Sequence, residues 1–345
     1  MKQPALTPSV FKQRWPWIGP DLQTLRDTLR PPRLPQQLGA IPREDLRIRL
    51  PDGASLLVSQ DLPKRHHPVA WVLLVHGLAG SSERPGVRRL AGLFLHWGFG
   101  VWRLNLRGAG AGRKLASGTY AAACNRDILP VLVAARERAR ALPLFGVGLS
   151  LGGTVLLNAL LERPDGLDAL ACVSSPLDLD SCSHQISRPR NSFYQRHIMR
   201  SLINQTKADP QFRSDCQAQE LMNTSIVWAN VDKIRTIRDF DAVITAPRWG
   251  YKNVDCYYRD ASPLQAMLNG APLPPAFFVQ ALDDPWVPAD SALGLASAQL
   301  PLDAEFCLPQ QGGHNGFHAV ADSQLNPSSS WADSRVVEWL LQRCG

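Results

Sequence analysis

Leu144-Phe145-Gly146-Val147-Gly148-Leu149-Ser150-Leu151-Gly152-Gly153-Thr154 is the stretch on which the reading of this chain turns. An apolar run suited to a buried strand ends in Gly-Leu-Ser-Leu-Gly and passes into Val155-Leu156-Leu157-Asn158-Ala159-Leu160-Leu161, a buried-helix pattern. The pattern G-x-S-x-G between a strand and a helix is the nucleophile elbow. The chain turns so sharply there that side chains two residues before and after the serine would collide, and Gly148 and Gly152 fill those places. Ser150 is then held above the sheet, and the Leu151 amide points toward the oxygen of a bound carbonyl. The competing reading is a tight turn whose serine only caps the helix, so the flanking chain has to decide.

Outward from the elbow, strands and helices alternate. Upstream, residues 69–75 form a continuous apolar run of the kind buried on both faces of a parallel sheet, ending in His76-Gly77-Leu78-Ala79-Gly80-Ser81-Ser82. A helix over 85–97, a strand over 100–106 and a helix over 125–139 lead to the elbow strand. Downstream come strands at 169–174, 276–282 and 304–308, and helices at 289–300 and 331–341. Nearer the start, residues 43–50 alternate, Pro51-Asp52-Gly53 marks a turn, and 55–59 begin a return strand, which is a hairpin. This regularity predicts a mostly parallel, doubly wound α/β sheet. Between 176 and 262 the rhythm breaks into polar and aromatic residues with short helical patterns, as at 194–203, so a helical lid insertion is expected there. The predicted organisation is an N-terminal arm over 1–42, core over 43–175, lid over 176–262 and core again over 263–345. The arm, with Trp15-Pro16-Trp17-Ile18-Gly19-Pro20, reads as an extended segment on the domain surface with its aromatics tucked in.

Composition narrows the function. With 345 residues, 45% of them hydrophobic and 19% charged, the chain suits one large soluble α/β domain with an insertion, or two modest domains, with a sizeable core. No apolar run approaches the roughly 20 residues of a membrane span. Met1-Lys2-Gln3-Pro4 lacks the marks of a secretory signal, so a cytoplasmic location is expected. Seven cysteines, none in a C-x-x-C pair, fit reduced buried thiols better than disulfides or zinc. The net charge of +7 reads first as a solvated basic face, and second as a means of steering an anionic substrate or surface. Gly108-x-Gly110-x-Gly112 has the wrong spacing for a dinucleotide loop and opens no helix. With no Walker loop, H-E-x-x-H or Cys/His cluster, neither a cofactor nor a metal is implied. Basic and aromatic residues do not interleave as nucleic-acid binding requires.

A serine hydroxyl needs a base, and the base an orienting carboxylate. On such a sheet these groups sit at the carboxyl ends of strands, and α/β-hydrolases supply them in the order Ser, acid, His. The acid candidates are in Leu282-Asp283-Asp284-Pro285-Trp286-Val287-Pro288, past a buried strand. Asp284 precedes the x-x-Val-Pro segment common in that fold and is preferred over Asp283, a loop carboxylate suited to backbone amides. The base candidates are in Gln311-Gly312-Gly313-His314-Asn315-Gly316-Phe317-His318, after the last strand. His314 is preferred, with His318 the alternative. For the oxyanion, the Leu151 amide needs a partner from the loop after the first parallel strand. Leu78 is assigned, because Gly77 permits the close approach of backbone to ligand. His76 is expected to hold that loop rather than to act as a second base.

Taken together these pieces resemble the AB hydrolase 4 family, close to the YheT-like α/β-hydrolases, over most of the chain. The resemblance rests on Gly19-Pro20-Asp21-Leu22-Gln23-Thr24-Leu25, His76-Gly77-Leu78-Ala79-Gly80-Ser81, Leu106-Arg107-Gly108, the elbow, Asp283-Asp284-Pro285 and Gly312-Gly313-His314-Asn315-Gly316-Phe317. Within the lid it extends to Ile237-Arg238-Asp239-Phe240-Asp241, Ile244-Thr245-Ala246, Gly250-Tyr251 and Tyr257-Tyr258-Arg259. It implies a triad of Ser150, Asp284 and His314 and activity on short- to medium-chain acyl esters, and some relatives transfer acyl groups from acyl-CoA to alcohols. One departure is that the arm reads Gly-Pro-Asp where relatives usually have Asn-Pro-His.

Overall fold

The apolar runs lie side by side in one sheet. A computed structural model describes residues 10–31, 44–64, 67–210, 212, 231–298, 303–322 and 330–344. Its strands are β1 (Glu44–Arg49), β2 (Ser55–Asp61), β3 (Trp71–Val75), β4 (Gly100–Asn105), β5 (Leu144–Leu149), β6 (Ala169–Val173), β7 (Ala276–Val279) and β8 (Ala304–Cys307). They are ordered β1-β2-β4-β3-β5-β6-β7-β8. The hairpin β1/β2 is antiparallel and β2 joins β4 antiparallel, whereas every pairing from β4 to β8 is parallel. The elbow strand β5 is therefore central, with Val147 opposite Leu74 of β3 and Ala171 of β6. All residues of β3, β4, β6 and β7 are buried; β3, β6 and β7 therefore read as unbroken apolar runs rather than alternating ones, whereas β4 buries Arg103 and Asn105 among its apolar residues.

The helices are α1 (Pro20–Leu29), α2 (Pro85–His96), α3 (Asn125–Ala139), α4 (Leu151–Glu162), α5 (Leu179–Ile186) and α6 (Ser192–Lys207). They continue as α7 (Ile237–Phe240, running through a π-helical turn, Asp241–Thr245, into Ala246–Arg248), α8 (Val254–Ala261), α9 (Leu264–Leu268), α10 (Asp290–Ser297) and α11 (Trp331–Leu341). On one face of the sheet Leu90 and Phe94 of α2 and Val336 and Trp339 of α11 meet Val72, Val147 and Phe277. On the other, Ile128 of α3 and Val155 and Leu156 of α4 meet Leu73 and Leu170. Each such side chain contributes roughly 1.5–3 kcal/mol of transfer free energy.

Helices α5 to α9 come between β6 and β7. Tyr194, Ile198, Met199 and Leu202 of α6 cluster with Ile186, Phe240, Ile244 and, from the loop after β3, Ala79. This layer therefore grips the same loop that borders the elbow.

The arm differs from the extended segment expected. Residues from Pro20 to Leu29 form α1, with Pro20 in the first turn, where a missing N–H removes no bond. Its buried residues are the polar Gln23 and Arg26, whereas Leu22 and Leu29 are exposed, so burial in this helix does not follow its apolar residues. Trp15 is 82% exposed rather than tucked in. Phe11, by contrast, packs edge-on against Phe317 and Trp331. The reading of Met1-Lys2-Gln3-Pro4, the arm over 32–42, the strand start at 43, the lid over 213–230 and the helix end at 299–300 lie outside the described residues.

Candidate active site

Ser150 sits between β5 and α4 with φ 52° and ψ −130°, a conformation that strains an L residue. Its N–H donates to Val173 O at 2.8 Å, and its carbonyl accepts from Gly153 N at 3.0 Å. The elbow glycines are sterically required. A Cβ on Gly148 would lie 2.2 Å from Gly153 Cα, and one on Gly152 would lie 2.2 Å from Val75 O.

The structure brings Ser150, His314 and Asp284 together from three separate loops. His314 Nε2 lies 3.0 Å from Ser150 Oγ, and its Nδ1 lies 2.9 Å from Asp284 Oδ2. Asp284 Oδ1 accepts the amides of Trp286 at 2.8 Å and Val287 at 3.0 Å, while Gln280 Nε2 donates to Oδ2 at 3.2 Å. So fixed, the carboxylate calls for a proton on Nδ1 and leaves Nε2 to accept from the serine hydroxyl. The indole of Trp286 lies over the imidazole, with ring centroids 4.4 Å apart.

The alternatives lie elsewhere. Asp283 Oδ1 accepts the Gly313 amide at 2.9 Å, so this carboxylate braces the loop rather than the ring. Burial pushes its carboxyl above the usual range, and the charge of Asp284 adds to the effect. His318 is buried beside Asp27, 3.6 Å from Nε2 to Oδ1, and burial holds it well below the usual imidazole range. His76 is neutral: Leu106 N donates to its Nε2 at 3.3 Å, and Nδ1 donates to Gly77 O at 2.8 Å. Burial lowers its pKa to about 4.

Leu78 and Leu151 both line the cavity that contains Ser150. The neighbouring Ala79 amide is committed to Tyr120 Oη at 2.7 Å, and that hydroxyl lies 3.4 Å from Gly77 O. A Cβ on Gly77 would lie 2.8 Å from Ser150 Cβ, so glycine lets this loop close on the serine.

Several supporting residues escaped the sequence reading. Thr24 Oγ1 accepts the His314 amide at 2.9 Å and donates to Pro20 O at 2.7 Å. Gln23 accepts from His318 N at 2.7 Å and donates to His318 O at 3.1 Å and Trp17 O at 2.7 Å. The histidine loop is thus clamped to α1. The available signal was a polar Gln-Thr pair inside the one recognisable motif of the arm. Tyr120, holding the loop after β3, had no such signal.

The cavity over Ser150 and His314 measures about 660 Å³, and Leu78, Ile186, Ile198, Leu202, Phe240 and Trp286 are among the apolar side chains that line it. Among the described residues no group of His, Cys, Asp and Glu is placed to hold a metal ion, and the six described cysteines are free. No described helix is long and apolar enough to cross a membrane.

The Hydrolase_4 family, described as serine aminopeptidase, S33, matches residues 66–244. The putative esterase YheT of Escherichia coli (strain K12) is 30% identical over 298 residues, 85% of this chain and 83% of that protein. The phospholipase ABHD3 of Homo sapiens is 24% identical over 331 residues, 91% of this chain and 75% of that protein. Among solved structures, the Pyrococcus furiosus esterase Pf2001 superposes with a TM-score of 0.55 at 15% identity, covering 91% of this chain and 95% of that one. At such low identity the superposition speaks for the α/β-hydrolase fold alone. Together with the elbow and the strand order, the extent of the family match and the identity to YheT mean that the chain belongs to the Hydrolase_4 family, as a YheT-like α/β-hydrolase.

Proposed function

We propose that the chain is a carboxylic ester hydrolase that uses Ser150, His314 and Asp284 on short- to medium-chain acyl esters. The observation that carries this reading is the continuous chain of contacts, 3.0 Å from Ser150 Oγ to His314 Nε2 and 2.9 Å from Nδ1 to Asp284 Oδ2, at the base of an apolar cavity. The cavity volume of about 660 Å³ lies within the range of sites that bury a small ligand whole.

In this mechanism Ser150 Oγ attacks the acyl carbonyl while His314 Nε2 takes its proton. Asp284 holds the imidazole in the required tautomer and stabilises the imidazolium. The Leu78 and Leu151 amides receive the oxyanion, a contribution of about 3–4 kcal/mol per donor in comparable sites. His314 then passes the proton to the departing alcohol oxygen, leaving the acyl group on Ser150. Water, deprotonated by the same nitrogen, releases the acid and restores the hydroxyl.

The test is hydrolysis of p-nitrophenyl esters of increasing chain length by wild type and by Ser150→Ala, with fluorophosphonate labelling beside it. Wild type should turn over butyrate to decanoate esters and take the label, and Ser150→Ala should do neither. Labelling that survives in Ser150→Ala refutes the assignment.

A further inference from the structure

The lid helix α6 runs Ser192-Phe193-Tyr194-Gln195-Arg196-His197-Ile198-Met199-Arg200-Ser201-Leu202-Ile203-Asn204-Gln205-Thr206-Lys207 and contains no acidic residue. Its inner face buries Tyr194, Ile198, Met199, Leu202 and Thr206. Its outer face exposes Arg196, His197 and Arg200, and Phe193 stands 62% exposed at its N-terminal end. Such a face is unusual on a soluble domain, where both signs of charge are normally interspersed. Arg196 donates from Nε only to Ser192 O within its own turn, at 3.2 Å, and neither Arg196 nor Arg200 meets a carboxylate among the described residues.

The position of this face is the second observation. Phe193 and His197 also line the cavity that holds Ser150, so the basic outer face continues into the rim of the entrance. Leu29 of α1, 61% exposed, lines the same cavity and adds a second apolar side chain to that rim. Asp21 in the first turn of α1 joins the start of α6 through Tyr194 Oη at 2.9 Å and Arg190 Nη2 at 3.0 Å. The two rim elements are thereby held side by side.

We propose that the outer face of α6 docks the enzyme on an anionic lipid bilayer. Phe193 and Leu29 enter the headgroup boundary, and Arg196 and Arg200 lie on lipid phosphates. A basic helix with one exposed aromatic lies in the plane of such a surface, drawn by buried apolar area and by phosphate attraction together. Guanidinium groups suit phosphate because their fork of donors engages two oxygens at once. The occupant is a membrane rather than an acidic protein because the exposed apolar side chains, Phe193 and Leu29, both line the cavity that holds Ser150. An acyl ester could then pass from the bilayer into the cavity without crossing water. That benefit rests on the ester-hydrolase reading, whereas the docking does not.

The test is sedimentation of full-length Ser150→Ala protein with phosphatidylcholine vesicles prepared with and without phosphatidylglycerol, at low and high salt. Partitioning onto the phosphatidylglycerol vesicles that falls with salt is expected. Arg196→Gln with Arg200→Gln should weaken it by about thirtyfold, since each basic side chain near an anionic surface is worth on the order of fivefold. Phe193→Ser should weaken binding at both salt concentrations. Equal partitioning onto both vesicle types, or an unchanged affinity in the double arginine variant, overturns the proposal. So does binding to double-stranded DNA without binding to vesicles. In a Ser150 background the arginine variant should hydrolyse p-nitrophenyl butyrate like wild type, which shows that it is folded. Because sedimentation needs no turnover, loss of docking and loss of the catalytic reading are scored separately.

Discussion

Thr24→Ala removes the hydroxyl that accepts the His314 amide at 2.9 Å while leaving the serine, the imidazole and the carboxylate in place. A hydrogen bond of this kind contributes about 0.5–1.5 kcal/mol net, and a donor left unsatisfied in a buried place costs about 1–3 kcal/mol. That penalty falls on the arrangement in which His314 Nε2 lies 3.0 Å from Ser150 Oγ, because the amide belongs to the same residue. A loss near 1.4 kcal/mol from the competent arrangement corresponds to about tenfold in kcat. KM for p-nitrophenyl butyrate should stay within about twofold, since Thr24 is one of many residues along the cavity and its hydroxyl is engaged by Pro20 O and the His314 amide. Thr24→Ser keeps the oxygen and should recover most of the rate. The assay is steady-state hydrolysis by the two variants, with thermal melting alongside. A Thr24→Ala enzyme with wild-type kcat refutes the clamp. So does a Thr24→Ser enzyme as slow as Thr24→Ala.

Asp284→Asn should lower kcat by about ten-thousandfold, because the amide no longer selects the tautomer in which Nε2 accepts a proton. Asp283→Asn, which bears on the Gly313 amide, should cost no more than about tenfold; comparable losses in the two variants refute the division of roles. Gly152→Ala places a methyl 2.2 Å from Val75 O and should destabilise the protein by more than about 3 kcal/mol or abolish soluble expression, as melting curves would show. Asp322 supplies a pH prediction. Burial first, and then the charge of Asp333, raise its carboxyl pKa to about 7, against opposing effects of the Ala319 amide and Arg14. For a carboxyl raised on folding, the associated stability is complete below the unfolded value near 4 and is lost as pH climbs to about 7. Asp322→Asn should therefore gain melting temperature over wild type progressively between pH 4 and about pH 7, and a pH-independent difference contradicts the assignment.

Much of the fold was legible because it is built from interactions between neighbours in the chain. Strands β3, β6 and β7 are covered on both faces, so they appear as unbroken apolar runs, and the sharp turn at Ser150 leaves its mark as glycines two residues away on either side. The arm was not legible. Its helix buries Gln23 and Arg26, polar residues that carry no periodic apolar signal, and it works through contacts to residues 290 and 295 positions away in the chain. Tyr120 escaped for a similar reason: an isolated tyrosine in a loop gives no sign that it will hold an amide at residue 79.

The boundary between sequence and tertiary structure runs through the candidate site itself. By itself the sequence determined the elbow, the alternation around it, and a short roster of acids and bases at strand ends, because local sterics and hydrophobic period are properties of adjacent residues. Only the tertiary structure decided that Asp284 faces the imidazole while Asp283 faces the Gly313 amide. Neighbouring residues in a turn point in different directions, and which direction meets the ring depends on how β7, β8 and the histidine loop close together. The packed fold likewise decided that α1 holds that loop and that the basic face of α6 borders the entrance, since both depend on segments that meet only when the sheet and its covering layers are complete.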